Sequence, residues 1–220
     1  MLAAFLPVSA ALLLIGEWLT PKGLDNQITT TKTALTMLAI AARHRDQVYI
    51  SNALVIVGLG ALAVSFAAIA TLVRSRGATV ATVAAVIGGL GYFAGAVANV
   101  WVGFNLAAAT AAHLPDADAA RFLVTTFNTR VGNVFLDGYI LGTVVGSVLI
   151  GIALWRSRSV PRWLTVLFVI GNLVAGFAPA GIVSVPLSLP FTVAMLILAL
   201  RIWQAAGGSA DEAAVAPLPA

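Results

Sequence analysis

Long apolar runs separated by short polar stretches make up the chain from its first residue to about residue 203. An α-helix needs about 20 mainly apolar residues to cross the hydrocarbon layer of a membrane. Five such runs occupy residues 1–19, 49–73, 78–104, 130–156 and 163–178, and a sixth follows Pro190 and ends at Arg201. The pattern predicts an all-α, polytopic transmembrane bundle of six helices.

Two further segments do not fit a spanning helix. Residues 28–45 contain an apolar stretch that is too short to span and has basic residues around it, which is typical of an interfacial or re-entrant seventh helix. Residues 206–220 are rich in alanine, proline and acidic residues, and this composition predicts a disordered tail. We therefore expect a single transmembrane domain over residues 1–205.

The composition supports a membrane protein. Of the 220 residues, 60% are hydrophobic and only 9% are charged, which lies outside the range of soluble globular domains. Twelve basic residues against eight acidic ones give a net charge of +4 that comes from few charges, so no nucleic-acid partner is expected. Arginines concentrate in the short turns, and this bias predicts cytoplasmic termini in a bacterial plasma membrane.

Several kinds of chemistry are excluded by residues that the chain lacks. There is no cysteine, so disulfides, thiol catalysis and thiolate metal ligands are ruled out. The two histidines, His44 and His113, both fall in loop segments, and we predict no metal site. No nucleotide-binding glycine motif and no hydrolase motif stands in the needed context, so we also predict no cofactor.

One acidic residue interrupts the run at 130–156. Asp137 follows Asn133 by four residues and Arg130 by seven, so the three side chains share one face of a helix. An acid in the hydrocarbon costs about 2.5–3.5 kcal/mol on insertion scales, and such residues usually have a function or a polar partner. Asp137 is therefore either catalytic or a tie to Arg130 or Asn99 that fixes helix packing.

Glycines recur every fourth residue in both the third and the fourth predicted spans. Such stripes allow two helices to pack closely. Aligning the stripes in an antiparallel pair places Gly91 against Gly146 and brings Asn99 level with Asp137.

Polar side chains gather in the half of the bundle that faces the two long segments, and Glu17 lies in this half near the end of the first span. We predict one cavity open toward that side, with Asp137 on its floor and the 28–45 helix near its mouth. Asp137 and Glu17 are the candidate catalytic acids, although Glu17 is also close enough to its helix end to extend into the interface. The candidate substrate-binding residues are Asn99, Asn133, Arg130, Tyr92, Trp101, Phe135 and Tyr139, and Phe93 and Phe104 are further candidates for an aromatic wall.

The turns R-S-R-G at 74–77 and W-R-S-R-S-V-P-R-W at 155–163 follow a long first external segment. In these features residues 1–205 resemble a family of uncharacterised six-helix bacterial membrane proteins that is common in actinobacteria, which implies a fold but no activity. The chain is more faintly similar to small integral-membrane terpene cyclases, which are all-helical, lack aspartate-rich metal motifs and use intramembrane acids. That resemblance implies a metal-independent cyclase in which Asp137 and Glu17 take the acidic roles.

These observations lead to one expected function and two alternatives. We expect a membrane-embedded cyclase or isomerase that protonates a prenylated, lipid-like substrate, since a desolvated carboxylic acid keeps its proton and aromatic faces stabilise a cation. The alternatives are a proton-coupled transporter or channel in which Asp137 titrates, and a non-catalytic scaffold. The expected partners are the lipid bilayer and a hydrophobic small molecule, and the sequence does not define an oligomeric state.

Overall fold

The computed structural model describes residues 2–24, 28, 30–74, 76–111, 115–178 and 181–215. Within these residues the chain is built from helices alone, which confirms the predicted all-α fold. After a 3-10 turn, Leu2–Ala4, the α-helices are α1 Phe5–Leu19, α2 Thr31–Arg43, α3 Arg45–Ala70, α4 Ala78–Ala111, α5 Asp116–Phe127, α6 Arg130–Ser157, α7 Arg162–Gly176 and α8 Ser184–Val215.

Helices occupy all six predicted positions, but they differ in length. Five stretches of the described chain are long and apolar enough to cross a membrane, namely Leu2–Leu19, Arg45–Ala70, Ala78–Thr110, Gly132–Ser157 and Ser184–Ala206. Helix α7 is also apolar but has only 15 residues. At 1.5 Å per residue it is about 22 Å long, which is shorter than the hydrocarbon layer.

The structure has two ends that we name by their connections. The loop side carries α2 and α5, whereas the turn side carries the short connections α3–α4 and α6–α7. At the loop side the buried faces of α2 and α5 meet the end of α4, with Leu38, Leu106 and Leu123 in one apolar cluster. The predicted helix at 28–45 is thus present as Thr31–Arg43, and Thr30 caps its start through the backbone N–H of Thr33.

Two helices extend beyond the predicted boundaries. Helix α4 continues to Ala111, seven residues past the predicted end at 104, because its last turns pack on the α2–α5 cluster. Helix α8 continues to Val215, into the segment 206–220 for which we predicted disorder. Residues 216–220 lie outside the described part of the chain.

Helices α4 and α6 pack backbone to backbone through glycines, but not in the predicted register. A Cβ added to Gly91 would lie 2.7 Å from the backbone of Gly142, and Gly88 faces Gly146. The predicted contact of Gly91 with Gly146 is therefore wrong by about one helical turn.

The reason is a large side chain that a glycine stripe does not reveal. Tyr139 projects from α6 against Gly95, where an added Cβ would come within 2.5 Å of the ring. Since the ring occupies the space beside Gly95, the close backbone contact moves along both helices. Asn99 consequently does not lie level with Asp137.

The turn-side half of the bundle is filled by large apolar side chains. Phe66 of α3, Phe168 of α7 and Ile150 of α6 are completely buried in one cluster, and the rings of Phe66 and Phe168 lie 6.0 Å apart. The tight turn between α3 and α4 lets these two helices approach closely, and Gly77 in this turn adopts a left-handed conformation with φ 100°. This half therefore closes the bundle toward the turn side.

Candidate functional site

The loop-side half encloses a cavity of about 520 Å³ between α1, α3, α4, α6, α7 and α8. Seven of the nine residues predicted for the site line this cavity: Glu17, Tyr92, Asn99, Trp101, Asn133, Phe135 and Tyr139. Side chains of α1 and α3 complete the wall, among them Leu13 and Leu59. The predicted position of the cavity, in the half that faces the long segments, agrees with the structure.

Asp137 does not lie on the floor of the cavity, and this part of the prediction is wrong. Its side chain is exposed on the outer flank of α6 and is not part of the cavity wall, whereas the preceding residue, Leu136, lines the cavity. Successive side chains of a helix point about 100° apart. The glycine contact between α4 and α6 sets the rotation of α6, so that Leu136 faces the cavity and Asp137 does not. In the described part of the chain Asp137 has no hydrogen bond or ion pair. Its catalytic role stays a prediction.

Other predicted positions also change. Arg130 is the first residue of α6 and is exposed outside the cavity wall, and the described residues show no ion pair between Arg130 and Asp137. Phe93 and Phe104 are 59% and 69% exposed, and both point away from the wall that we expected them to form. Helix α2 contributes no side chain to the cavity, whereas Phe127 at the end of α5 lines it.

Glu17 is the carboxylate of the cavity. It is half-buried near the end of α1, and its Oε2 accepts hydrogen bonds from the backbone N–H of Gly181 at 2.9 Å and from the hydroxyl of Ser184 at 3.1 Å. Ser184 begins α8, whose N-terminus carries partial positive charge and favours a nearby acid. Both bonds use Oε2, so Oε1 is the oxygen that is available to the cavity.

A close contact between α1 and α3 fixes the position of Glu17. A Cβ on Gly16 would lie 2.8 Å from the Val55 side chain and 3.2 Å from the carbonyl oxygen of Ser51. Only a glycine allows this approach without displacement of α3. Glu17 therefore sits next to the most constrained residue of α1 and is directed toward α8.

A chain of buried hydrogen bonds forms the floor. The hydroxyl of Tyr92 donates to Oδ1 of Asn172 at 2.6 Å, and Nδ2 of Asn172 donates to Oγ of Ser147 at 2.5 Å. Ser147 in turn donates to the carbonyl oxygen of Thr143 at 2.5 Å. Asn172 and Ser147 were not among the residues that we predicted for the site. Their only signal was a single amide in the run 163–178 and a small hydroxyl beside Gly146 in the run 130–156.

Two further polar groups belong to the cavity wall. Asn99 donates through Nδ2 to the carbonyl oxygen of Gly95 at 2.9 Å, so the amide NH₂ group of Asn99 is hydrogen-bonded within its own helix, α4. Nε1 of Trp101 is buried and has no hydrogen-bond partner among the described residues, although buried indole N–H groups usually have one. An acceptor placed in this part of the cavity would satisfy it.

The described residues contain no group of three His, Cys, Asp or Glu side chains that could hold a metal ion. His44 lies between α2 and α3, away from the cavity wall, and His113 lies outside the described residues.

The fold and the cavity together define an integral membrane protein of the helical-bundle class, with its polar groups at one end of the bundle. The chain belongs to the family described as "Domain of unknown function (DUF4386)", whose model matches residues 2–206. This span coincides with the predicted transmembrane domain. No curated protein and no solved structure matches the chain.

Proposed function

We propose that this protein is a membrane-embedded enzyme that isomerises or cyclises a prenylated, lipid-like substrate by acid–base chemistry at Glu17. The observation that carries the proposal is one carboxylate, Glu17, held by two hydrogen bonds at the wall of a cavity that is otherwise mainly aromatic and aliphatic. The cavity volume of about 520 Å³ falls within the range of about 300–1,000 Å³ that small-molecule sites occupy.

The hydrogen bonds of Glu17 fix the orientation of its carboxyl group. With Oε2 occupied by Gly181 and Ser184, a proton on Oε1 faces the substrate. Transfer to an alkene carbon breaks the Oε1–H bond and the alkene π bond and forms a C–H bond. Transfer to an epoxide oxygen breaks the Oε1–H bond and a C–O bond of the ring and forms an O–H bond. Either step leaves a carbocation on the substrate. Loss of a proton from a neighbouring carbon to the Glu17 carboxylate restores the acid, so the product has the mass of the substrate.

The cavity wall is suited to a cationic intermediate. The rings of Tyr92 and Tyr139 lie 6.1 Å apart in an edge-to-face arrangement, and Trp101 and Phe135 add further aromatic surface. Aromatic faces attract a cation with about 0.5–2 kcal/mol each, and more when water is absent. A carbocation that forms between these rings is therefore stabilised and shielded from hydrolysis.

The packing of the turn-side half favours an enzyme over the transporter alternative. A transported solute or proton needs a polar route to the opposite face. Below the Tyr92–Asn172 pair the described chain instead presents fully buried apolar side chains such as Phe66, Phe168 and Leu154. A closed floor suits a site in which the ligand enters and leaves on the loop side.

Liquid chromatography–mass spectrometry tests the proposal on reconstituted protein that is given a panel of prenylated and epoxy-prenylated compounds. We expect wild type to form a product with a new retention time and unchanged mass. Glu17→Gln abolishes this product, because an amide cannot donate the proton. Formation of no isomer by wild type from any compound in the panel would contradict the proposal.

Asp137→Asn is the matched variant, since Asp137 is the second predicted catalytic acid but lies outside the cavity wall. We expect it to keep the activity that Glu17→Gln loses, at equal amounts of folded protein. Loss of activity in Asp137→Asn with retention in Glu17→Gln would return the catalytic role to Asp137.

A further inference from the structure

Among the described residues, the exposed part of the cavity wall lies in one region. Of the residues that line the cavity, the five that are exposed are Asn133, Leu136, Ile140, Gly176 and Phe177. Three of them lie in the first three turns of α6 and two lie where α7 ends. A residue that borders the cavity and is also open to the outside marks an opening, so the described wall opens between α6 and α7.

The short length of α7 explains this opening. Helix α7 ends at Gly176, beside Thr143 and Tyr139, whose nearest side-chain atoms lie 4.0 Å from an added Cβ. Helix α6 runs antiparallel to α7 and begins nine residues before Tyr139. The turns of α6 before Tyr139 therefore have no helical part of α7 beside them.

The opening is apolar along most of its length. Leu136, Ile140 and Phe177 are 43%, 37% and 63% exposed, and Asn133 is the polar residue nearest the loop side. The side chains match a hydrocarbon chain over the length of the gap and a polar head at its outer end. The apolar side chains of this border offer water and small ions no hydrogen bonds and no charge.

We propose that this gap is a lateral portal through which a single-chain, membrane-dissolved amphiphile passes from the bilayer into the cavity. The inference rests on the proposed function in so far as the cavity is taken to be a ligand site. It adds the route and the substrate class, a ligand with one flexible apolar chain whose polar head stays beside Asn133. The chain then reaches the aromatic wall without crossing the aqueous phase.

Two properties of the sequence make the portal testable. The chain has no cysteine, so a single introduced cysteine can be modified selectively. Of the five tryptophans only Trp101 lines the cavity, and the other four, Trp18, Trp155, Trp163 and Trp203, are exposed and can be replaced by phenylalanine. Trp101, in the cavity wall, is then the sole source of tryptophan fluorescence.

The test compares Ile140→Cys with Leu141→Cys in this single-tryptophan background. Ile140 lines the portal, whereas Leu141 is 64% exposed on the outer face of the same helix and does not border the cavity. Both proteins are modified with N-benzylmaleimide in detergent and reconstituted into phosphatidylcholine vesicles. The probe is stearyl alcohol brominated at mid-chain, which quenches tryptophan fluorescence at short range.

We expect the probe to quench Trp101 in both unmodified proteins and in modified Leu141→Cys, and the quenching to be lost in modified Ile140→Cys. Equal quenching in the two modified proteins would overturn the portal, as would no quenching in the unmodified proteins. A third outcome would also overturn the portal. In it, water-soluble acrylamide quenches Trp101 equally with and without the Ile140 label, and the brominated alcohol does not quench it. That result would show that the cavity opens to water. The two proposals can fail separately. If only the Ile140 label abolishes quenching by the probe, and wild type forms no isomer from any substrate, the portal is supported and the proposed enzymatic function is rejected.

Discussion

The two halves of this bundle have similar apolar character but opposite packing. In the turn-side half Phe66, Phe168 and Ile150 interlock with no exposed surface, whereas the loop-side half leaves a cavity of about 520 Å³. The loop-side half carries the polar groups Glu17 and Asn99 and the short end of α7. Large apolar side chains fill the interior of the turn-side half. In the loop-side half, polar side chains and the early end of α7 leave a space that a ligand can occupy.

The same contrast applies to Glu17 and Asp137, two of the acids in the loop-side half. Glu17 faces the cavity and accepts two hydrogen bonds, whereas Asp137 faces outward without a partner in the described chain. Helix α6 has 28 residues, and counting about 20 residues from its turn-side end reaches the level of Asp137. Asp137 can therefore lie at the head-group boundary, where an exposed acid is far less costly than at the membrane centre.

The largest effect should come from a truncation in the packed half. Phe66→Ala removes a fully buried ring and should lower the free energy of unfolding by about 3–5 kcal/mol. Phe135→Ala makes the same change in the cavity wall, where the ring is only half-buried, and should cost less than half as much. Thermal unfolding in detergent measures both, and equal losses would contradict the contrast between the halves.

The glycine contact that orients α6 should give the next largest effect. Gly91→Ala places a Cβ 2.7 Å from the backbone of Gly142 and should destabilise the protein by about 1–3 kcal/mol through overpacking. The matched control is Gly60→Ala, since nothing lies within 4 Å of the added Cβ. It should stabilise α3 by up to about 1 kcal/mol through helix propensity, and a chemical denaturation series would compare the two variants.

A smaller difference should separate the two acids in stability. Glu17→Gln weakens two hydrogen bonds to the Glu17 carboxyl group and should cost about 1–2 kcal/mol, whereas Asp137→Asn should change stability by less than about 0.5 kcal/mol. Unfolding of both variants, measured in the same detergent, tests this difference. A large loss with Asp137→Asn would reveal a polar partner for Asp137, for example in a second copy of the chain.

The smallest effect should come from the floor of the cavity. Tyr92→Phe removes the donor to Oδ1 of Asn172 but keeps the ring, and should cost about 0.5–1.5 kcal/mol. The bond from Asn172 to Ser147 should remain, so hydrogen exchange at the centre of α7 should rise only slightly. Complete loss of protection along α7 would mean that the Tyr92 bond, rather than apolar packing, holds this helix in place.

Much of this molecule follows from the order of apolar and polar residues. The helix positions, the amphipathic segment at 28–45 and the concentration of polar groups on the loop side could all be predicted, because the hydrophobicity of a segment is a local property. The lengths of α4 and α7 were harder to predict. Where α4 ends depends on the α2–α5 cluster against which its last turns pack, and a short apolar helix reads much like a full span.

Only the tertiary structure decided which polar side chains face one another. Asp137 was the stronger candidate from sequence, since an acid inside an apolar run stands out, yet Glu17 lines the cavity. A rotation of about 100° separates an inward residue of α6 from an outward one, and the contacts of Gly91 with Gly142 and of Tyr139 with Gly95 set that rotation. Such contacts join residues that are far apart in the chain, so no periodicity within a single helix encodes them.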